Sequence, residues 1–193
     1  MAQRFRISGS ALVWLALLTL ILPLRWVIAA ICAAGFHELC HMLAIYLCGG
    51  SVAGLRITER GASMDMGMLS RRRELICALA GPLGSLMLLF AADLWPRLAV
   101  CALFHGLYNL LPMYPMDGGR ALQCAAACLL GEDRAERISL LVARITCCIL
   151  LIAGFYGCFL LRGGMFPVFL AGFVICRANI RKFSCKDWLW RVQ

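Results

Sequence analysis

Six apolar runs constrain this chain more than any other feature. They fall at roughly 9–24, 26–48, 74–92, 95–113, 138–161 and 164–177, most of them near the ~18 residues needed to cross a bilayer core. Overall the chain is 63% hydrophobic and only 15% charged, too little polar surface for a soluble domain of 193 residues. The expectation is an all-α polytopic membrane protein of about six transmembrane helices, folded as a single domain over 1–193. Arg4 and Arg6 precede the first run as they would in a signal sequence. The run is longer than a cleavable h-region and continues into the next, so a signal anchor is expected instead.

A net charge of +9 could indicate nucleic acid, but its placement argues for a membrane. With six spans and a cytoplasmic N-terminus, the far side receives only Arg25, Arg97 and Arg162, and Arg144 lies within the fifth span. Every other Lys and Arg falls on the cytoplasmic side, including the basic runs at 71–73 and 177–191. This is the positive-inside pattern, and it puts both termini in the cytoplasm of a multi-pass cell-membrane protein. The bilayer is thus one partner, and nucleic acid is not. The 12 cysteines lie mostly in apolar runs and form no paired C-x-x-C set, so they read as small packing residues.

Two connections are long, and both are cytoplasmic. In 49–73, Leu55 and Ile57 alternate with Arg56 and Thr58, and Met64, Met66 and Met68 alternate with Asp65 and Gly67. Period-2 patterning around "ERGA" predicts a small β-hairpin, 52–68, between spans 2 and 3. In 114–137, Pro115 and Gly118–Gly119 break the chain and a helix is expected from Arg120 to Leu130, ending at Gly131. The tail after Arg177 mixes Arg and Lys with Phe183, Trp188 and Trp190, like an interfacial amphipathic segment.

Chemistry concentrates in "FHELCHML", residues 36–43, inside the second run. His37 and His41 stand four apart, so a helix puts both imidazoles on one face, able to share a metal. Glu38 sits beside that face, where it can take a proton from activated water. This is the H-E-x-x-H zinc-protease pattern. Ionisable groups at membrane depth are costly and usually functional, and His41 lies about 12 Å from the cytoplasmic end of its span. The bland alternative is a His–Glu pair that bonds helices together. A catalytic zinc needs a third protein ligand. The extended motif is absent, since Ala44 and Leu47 stand at its Gly and His positions. Asp93 lies at the wrong end of the bilayer, and Glu74 sits among arginines. Spacing alone leaves Asp117 and His105 open.

"HELCH", "ALAGPLGS" (Ala78–Ser85) and "NLLPMYPMDGGRAL" (Asn109–Leu122) together resemble the site-2 protease family, over roughly residues 30–125. Within that family the chain resembles the stage IV sporulation protease type. The resemblance implies one catalytic Zn²⁺ held by His37, His41 and Asp117, with Glu38 as the catalytic base. It also implies substrate contact by the Asn109–Pro115 loop, notably Asn109 and Pro115. The expected substrates are membrane-anchored or membrane-associated proteins, with room for a regulatory membrane protein. Sporulation is a role the resemblance suggests. Ser85 stands where many members of the family carry Asn, and no CBS or PDZ domain is expected within these 193 residues. The competing classes are a metal-binding transporter and a substrate-binding scaffold. Transporters usually show internal repeats and polar residues along several spans. A scaffold has no need of Glu38, Asp117 and both histidines together.

Overall fold

The computed structural model describes residues 4–7, 9–58, 61–66, 69–159 and 166–177. The tail after Arg177, the centre of the hairpin turn and Met68 lie outside the described residues. The architecture is mainly helical, and the chain divides at Asn109/Leu110 into two compact units.

In the first unit, β1 (Arg4–Ile7) leads into α1 (Gly9–Ile21), which stops just before Pro23. Proline has no N–H for the preceding helix but suits the start of the next one, and α2 runs from Leu24 to Leu47. A left-handed turn ends α2. Gly49 has φ +76°, its N–H donates to Tyr46 O at 3.0 Å, and Gly50 N–H donates to Ile45 O at 2.9 Å. This pair of bonds satisfies the last carbonyls of the helix and needs glycine at its left-handed position. The chain then enters β2 (Val52–Thr58), which pairs antiparallel with β3 (Gly61–Met66). β1 lies parallel on the other edge of β2, giving the order β1-β2-β3.

Next come α3 (Arg71–Met87), a short 3-10 turn (Leu88–Ala91) and α4 (Pro96–Asn109). Glu74 in the first turn of α3 bonds Arg71 at 2.8 Å and places negative charge at the positive end of the helix. α3 presents small residues, Ala78, Gly81, Pro82, Gly84 and Ser85, on its buried face. Small residues let helix backbones approach closely, which is how helices associate where lipid removes the hydrophobic drive.

The second unit starts with an irregular stretch, 110–116. It continues as α5 (Asp117–Leu130), α6 (Glu132–Phe159) and α7 (Phe166–Arg177). α5 begins at Asp117 rather than at Arg120. The break falls earlier because Met116 is extended (ψ 156°), and Gly118 and Gly119 form the first turn. Gly131, at φ +85°, lets α6 begin at once. Cys147 Sγ contacts Met113 Sδ at 3.5 Å within the buried core of this unit. α6 and α7 meet at glycine: a Cβ on Gly154 would lie 3.0 Å from Pro167 O and 3.1 Å from Ala171 Cβ.

Of the six expected spans, α2, α3 with its 3-10 extension, and α6 are long and apolar enough to cross a bilayer. Large apolar side chains cover the outside, with Leu20, Phe90 and Leu129 all more than four-fifths exposed. Such a surface suits lipid and not water. The chain is therefore a membrane protein.

Gly154→Leu forces a branched side chain into the α6–α7 contact and is expected to cost about 1–3 kcal/mol. A thermal melt in detergent should show a lowered midpoint, and an unchanged midpoint would mean the two helices do not pack through this glycine.

Candidate metal centre

His37 and His41 sit one turn apart on the inner face of α2, with 1% and 8% of their surface exposed. Their rings meet edge to face, with centroids 4.7 Å apart, and their Nε2 atoms are 3.1 Å apart. The far side of each ring is held by α3. His41 Nδ1 donates to the Cys77 carbonyl at 2.7 Å, and His37 Nδ1 lies 2.9 Å from Ser85 Oγ. A carbonyl can only accept, so the His41 proton is on Nδ1 and its Nε2 acts as an acceptor. Metal-binding histidines are commonly oriented this way, with the nitrogen away from the metal bonded to a carbonyl or another polar group. Two imidazoles with converging Nε2 atoms fit a zinc-type ion, which favours imidazole nitrogen.

α3 makes this possible by coming very close. A Cβ built on Gly81 would overlap His41 Nε2 and lie 2.7 Å from His37 Nε2. No side chain can stand there without taking the space between the two nitrogens. Pro82 follows and cannot donate to the Ala78 carbonyl, which loosens the α3 ladder next to the Cys77 carbonyl that His41 uses. One turn on, Gly84 faces Cys40, and a Cβ there would lie 2.9 Å from Cys40 Cβ. This accounts for the cysteine between the histidines as a packing residue.

His105, from α4, stacks edge to face on His37 with centroids 4.7 Å apart. Asn109 ends the same helix, and its side-chain amide donates back to His105 O at 3.0 Å. Glu38 is half-buried on α2 beside His37.

In the second unit, Asp117 is the first residue of α5, 8% exposed, with Oδ1 3.9 Å from Arg120 Nη1. Met116, just before it, is the N-cap. The two following glycines support the preceding stretch. A Cβ on Gly118 would collide with the Leu110 carbonyl, and one on Gly119 would lie 2.5 Å from the Met113 carbonyl carbon. Pro115 follows a cis peptide bond from Tyr114. The "DGG" sequence thus presents a buried carboxylate at a helix start while the chain folds back over the glycines.

Sequence reasoning missed Gly81, Ser85 and the Cys77 carbonyl as parts of the centre. Their signal was available: residues 77, 81 and 85 recur every four positions, so they share one face of α3.

Helices with a lipid-facing exterior and paired buried imidazoles beside a glutamate are the parts expected of a membrane metalloprotease. A family model described as Peptidase M50B-like matches residues 10–116, more than half of the chain, and the chain belongs to that family, the site-2 protease family. Among solved structures it is similar to the site-2 protease from Methanocaldococcus jannaschii, with a TM-score of 0.62 and 23% identity. The match covers 88% of this chain and 84% of that one, and at this identity it speaks for the fold. No curated protein matches the chain.

Gly81→Ala should weaken uptake of a divalent metal about 10-fold or more, the scale expected when a methyl is forced into a filled site. Metal content of the purified protein, with the helical circular-dichroism signal as control, checks this. Full metal content in the variant would show that Gly81 does not border the ion.

Proposed function

We propose that this chain is an intramembrane zinc endopeptidase that hydrolyses membrane-anchored or membrane-associated proteins near the cytoplasmic face. The observation that carries the proposal is the pair of buried imidazoles, each turned by a bond at Nδ1 so that the Nε2 atoms converge 3.1 Å apart. His37, His41 and Asp117 would hold one zinc ion, with Asp117 assigned by its place in the "PMDGG" motif. Zinc, when bound, supplies Lewis acidity toward a peptide carbonyl and toward water.

Glu38 is the general base in this reading. It takes the proton of the attacking water and returns it to the leaving amine, which suits a carboxylate next to the first metal-binding histidine. Asn109 and Pro115 flank the stretch assigned to substrate contact. An uncharged amide at Asn109 can bond an extended substrate backbone or the oxygen on which charge develops.

We further propose six spans, with α1, α4 and α7 adding to the three longer helices, and both termini in the cytoplasm. The asymmetry of Lys and Arg supports this orientation. The sheet then lies on the side where cleavage occurs. A helical substrate hides its peptide bonds, so it must unwind and pair as a strand, and a sheet edge offers that pairing. The family likeness suggests regulated intramembrane proteolysis, with sporulation as the process.

Glu38→Gln should keep its zinc and lose cleavage of a membrane-anchored substrate by about 10²-fold or more. Cleavage at the wild-type rate would falsify the assignment of the base. Asp117→Asn should lower the zinc content measured by atomic absorption, whereas His105→Ala should not; the reverse pattern would make His105 the third ligand. Substrates with helix-breaking residues at the cut should be cleaved faster than matched Leu- or Ala-rich helices. Equal rates would remove the unwinding step.

A further inference from the structure

The two histidines are held by chemically different partners. His41 faces the Cys77 carbonyl, a pure acceptor, so one hydrogen-bond pattern is open to it. His37 faces the Ser85 hydroxyl, which can accept or donate by rotating. Ser85 is fully buried, and α4 closes behind it: a Cβ on Gly106 would lie 2.9 Å from Ser85 Cβ. The hydroxyl therefore serves no solvent role.

The 3.1 Å contact between the Nε2 atoms makes this difference matter. His41 Nε2 is an acceptor because its proton is on Nδ1. A hydrogen bond between the rings then requires the His37 proton on Nε2, with Ser85 donating to His37 Nδ1. An ion shared by both Nε2 atoms requires the opposite: the His37 proton on Nδ1, with Ser85 accepting. A carbonyl in place of Ser85 would allow only the second arrangement, and an N–H only the first. A hydroxyl allows both.

We propose that Ser85 is the positioning residue for His37, a two-way hydrogen-bond partner. It turns the ring so that Nε2 faces the ion, donating or accepting as the His37 tautomer requires. The inference rests on the zinc reading above. It makes the centre asymmetric, with His41 as the locked ligand and His37 as the adjustable one.

The test compares Ser85→Ala with Ser139→Ala. Ser139 is equally buried, on α6, and has no hydrogen-bond partner at Oγ among the described residues, so it controls for loss of a buried hydroxyl. Zinc affinity is read by chelator competition on the full-length protein in detergent. Ser85→Ala should bind about 10–100-fold more weakly, the usual cost of losing a bond that orients a ligand. Ser139→Ala should match wild type.

A second readout does not depend on affinity. In the Cu²⁺-loaded protein, pulsed EPR detects the nitrogen of each imidazole remote from the metal. Ser85→Ala should shift the coupling of one of the two and leave the other unchanged. Wild-type affinity together with two unchanged couplings would overturn the role of Ser85 while leaving the zinc centre standing. A wild-type protein that takes up no zinc would overturn both.

Discussion

The structure depends on how close α3 can come to the histidine face of α2. Two imidazoles buried in an apolar helix pair must each place a second nitrogen against a polar partner, because unpaired polar groups at membrane depth are costly. α3 meets both needs with the Cys77 carbonyl and the Ser85 hydroxyl, two turns apart on one face. Both reach the rings because Gly81, between them, carries no side chain. The small-residue face of α3 thus serves packing and the candidate metal centre together. It lets the backbones approach and also carries the groups that orient the two imidazoles.

The second unit meets a similar demand at Asp117. A carboxylate is expensive to bury unless it is paired or binds a cation. Here it starts a helix, where the dipole favours negative charge, with Arg120 one turn on. Gly118 and Gly119 let the chain before the helix fold back on itself without a clash. Glycine therefore recurs for one reason at Gly81, Gly118 and Gly119: backbone has to approach a polar site more closely than a Cβ would permit.

Much of this was legible beforehand. The placing of His37 and His41 on one helix face follows from spacing, since a helix turns 3.6 residues per turn whatever surrounds it. The alternation in 55–58 and 64–68 is read from period 2 in the same way, and the structure pairs Val52–Thr58 antiparallel with Gly61–Met66. Element ends were less legible. α6 starts at Glu132, before its apolar run, because a helix can continue past the lipid into charged sequence. α5 includes both glycines that read as breakers, because the first turn of a helix owes fewer of its hydrogen bonds to propensity. The parallel pairing of β1 with β2 left no mark in the sequence, since a four-residue strand from a distant part of the chain shows no distinctive period.

The sequence by itself determined the solvent and the family, and it named the candidate reacting groups: apolar runs of membrane length, the "HELCH" pair and the "PMDGG" carboxylate. These are matters of composition and short-range spacing, and local geometry fixes them. Tertiary structure alone decided which atoms hold the imidazoles in place. Cys77 and Ser85 lie 36 and 48 residues from their histidines. A carbonyl has no side-chain signature, and the shared face of residues 77, 81 and 85 does not say which helix it will meet. Only the packing of one helix on another turned them into parts of the centre.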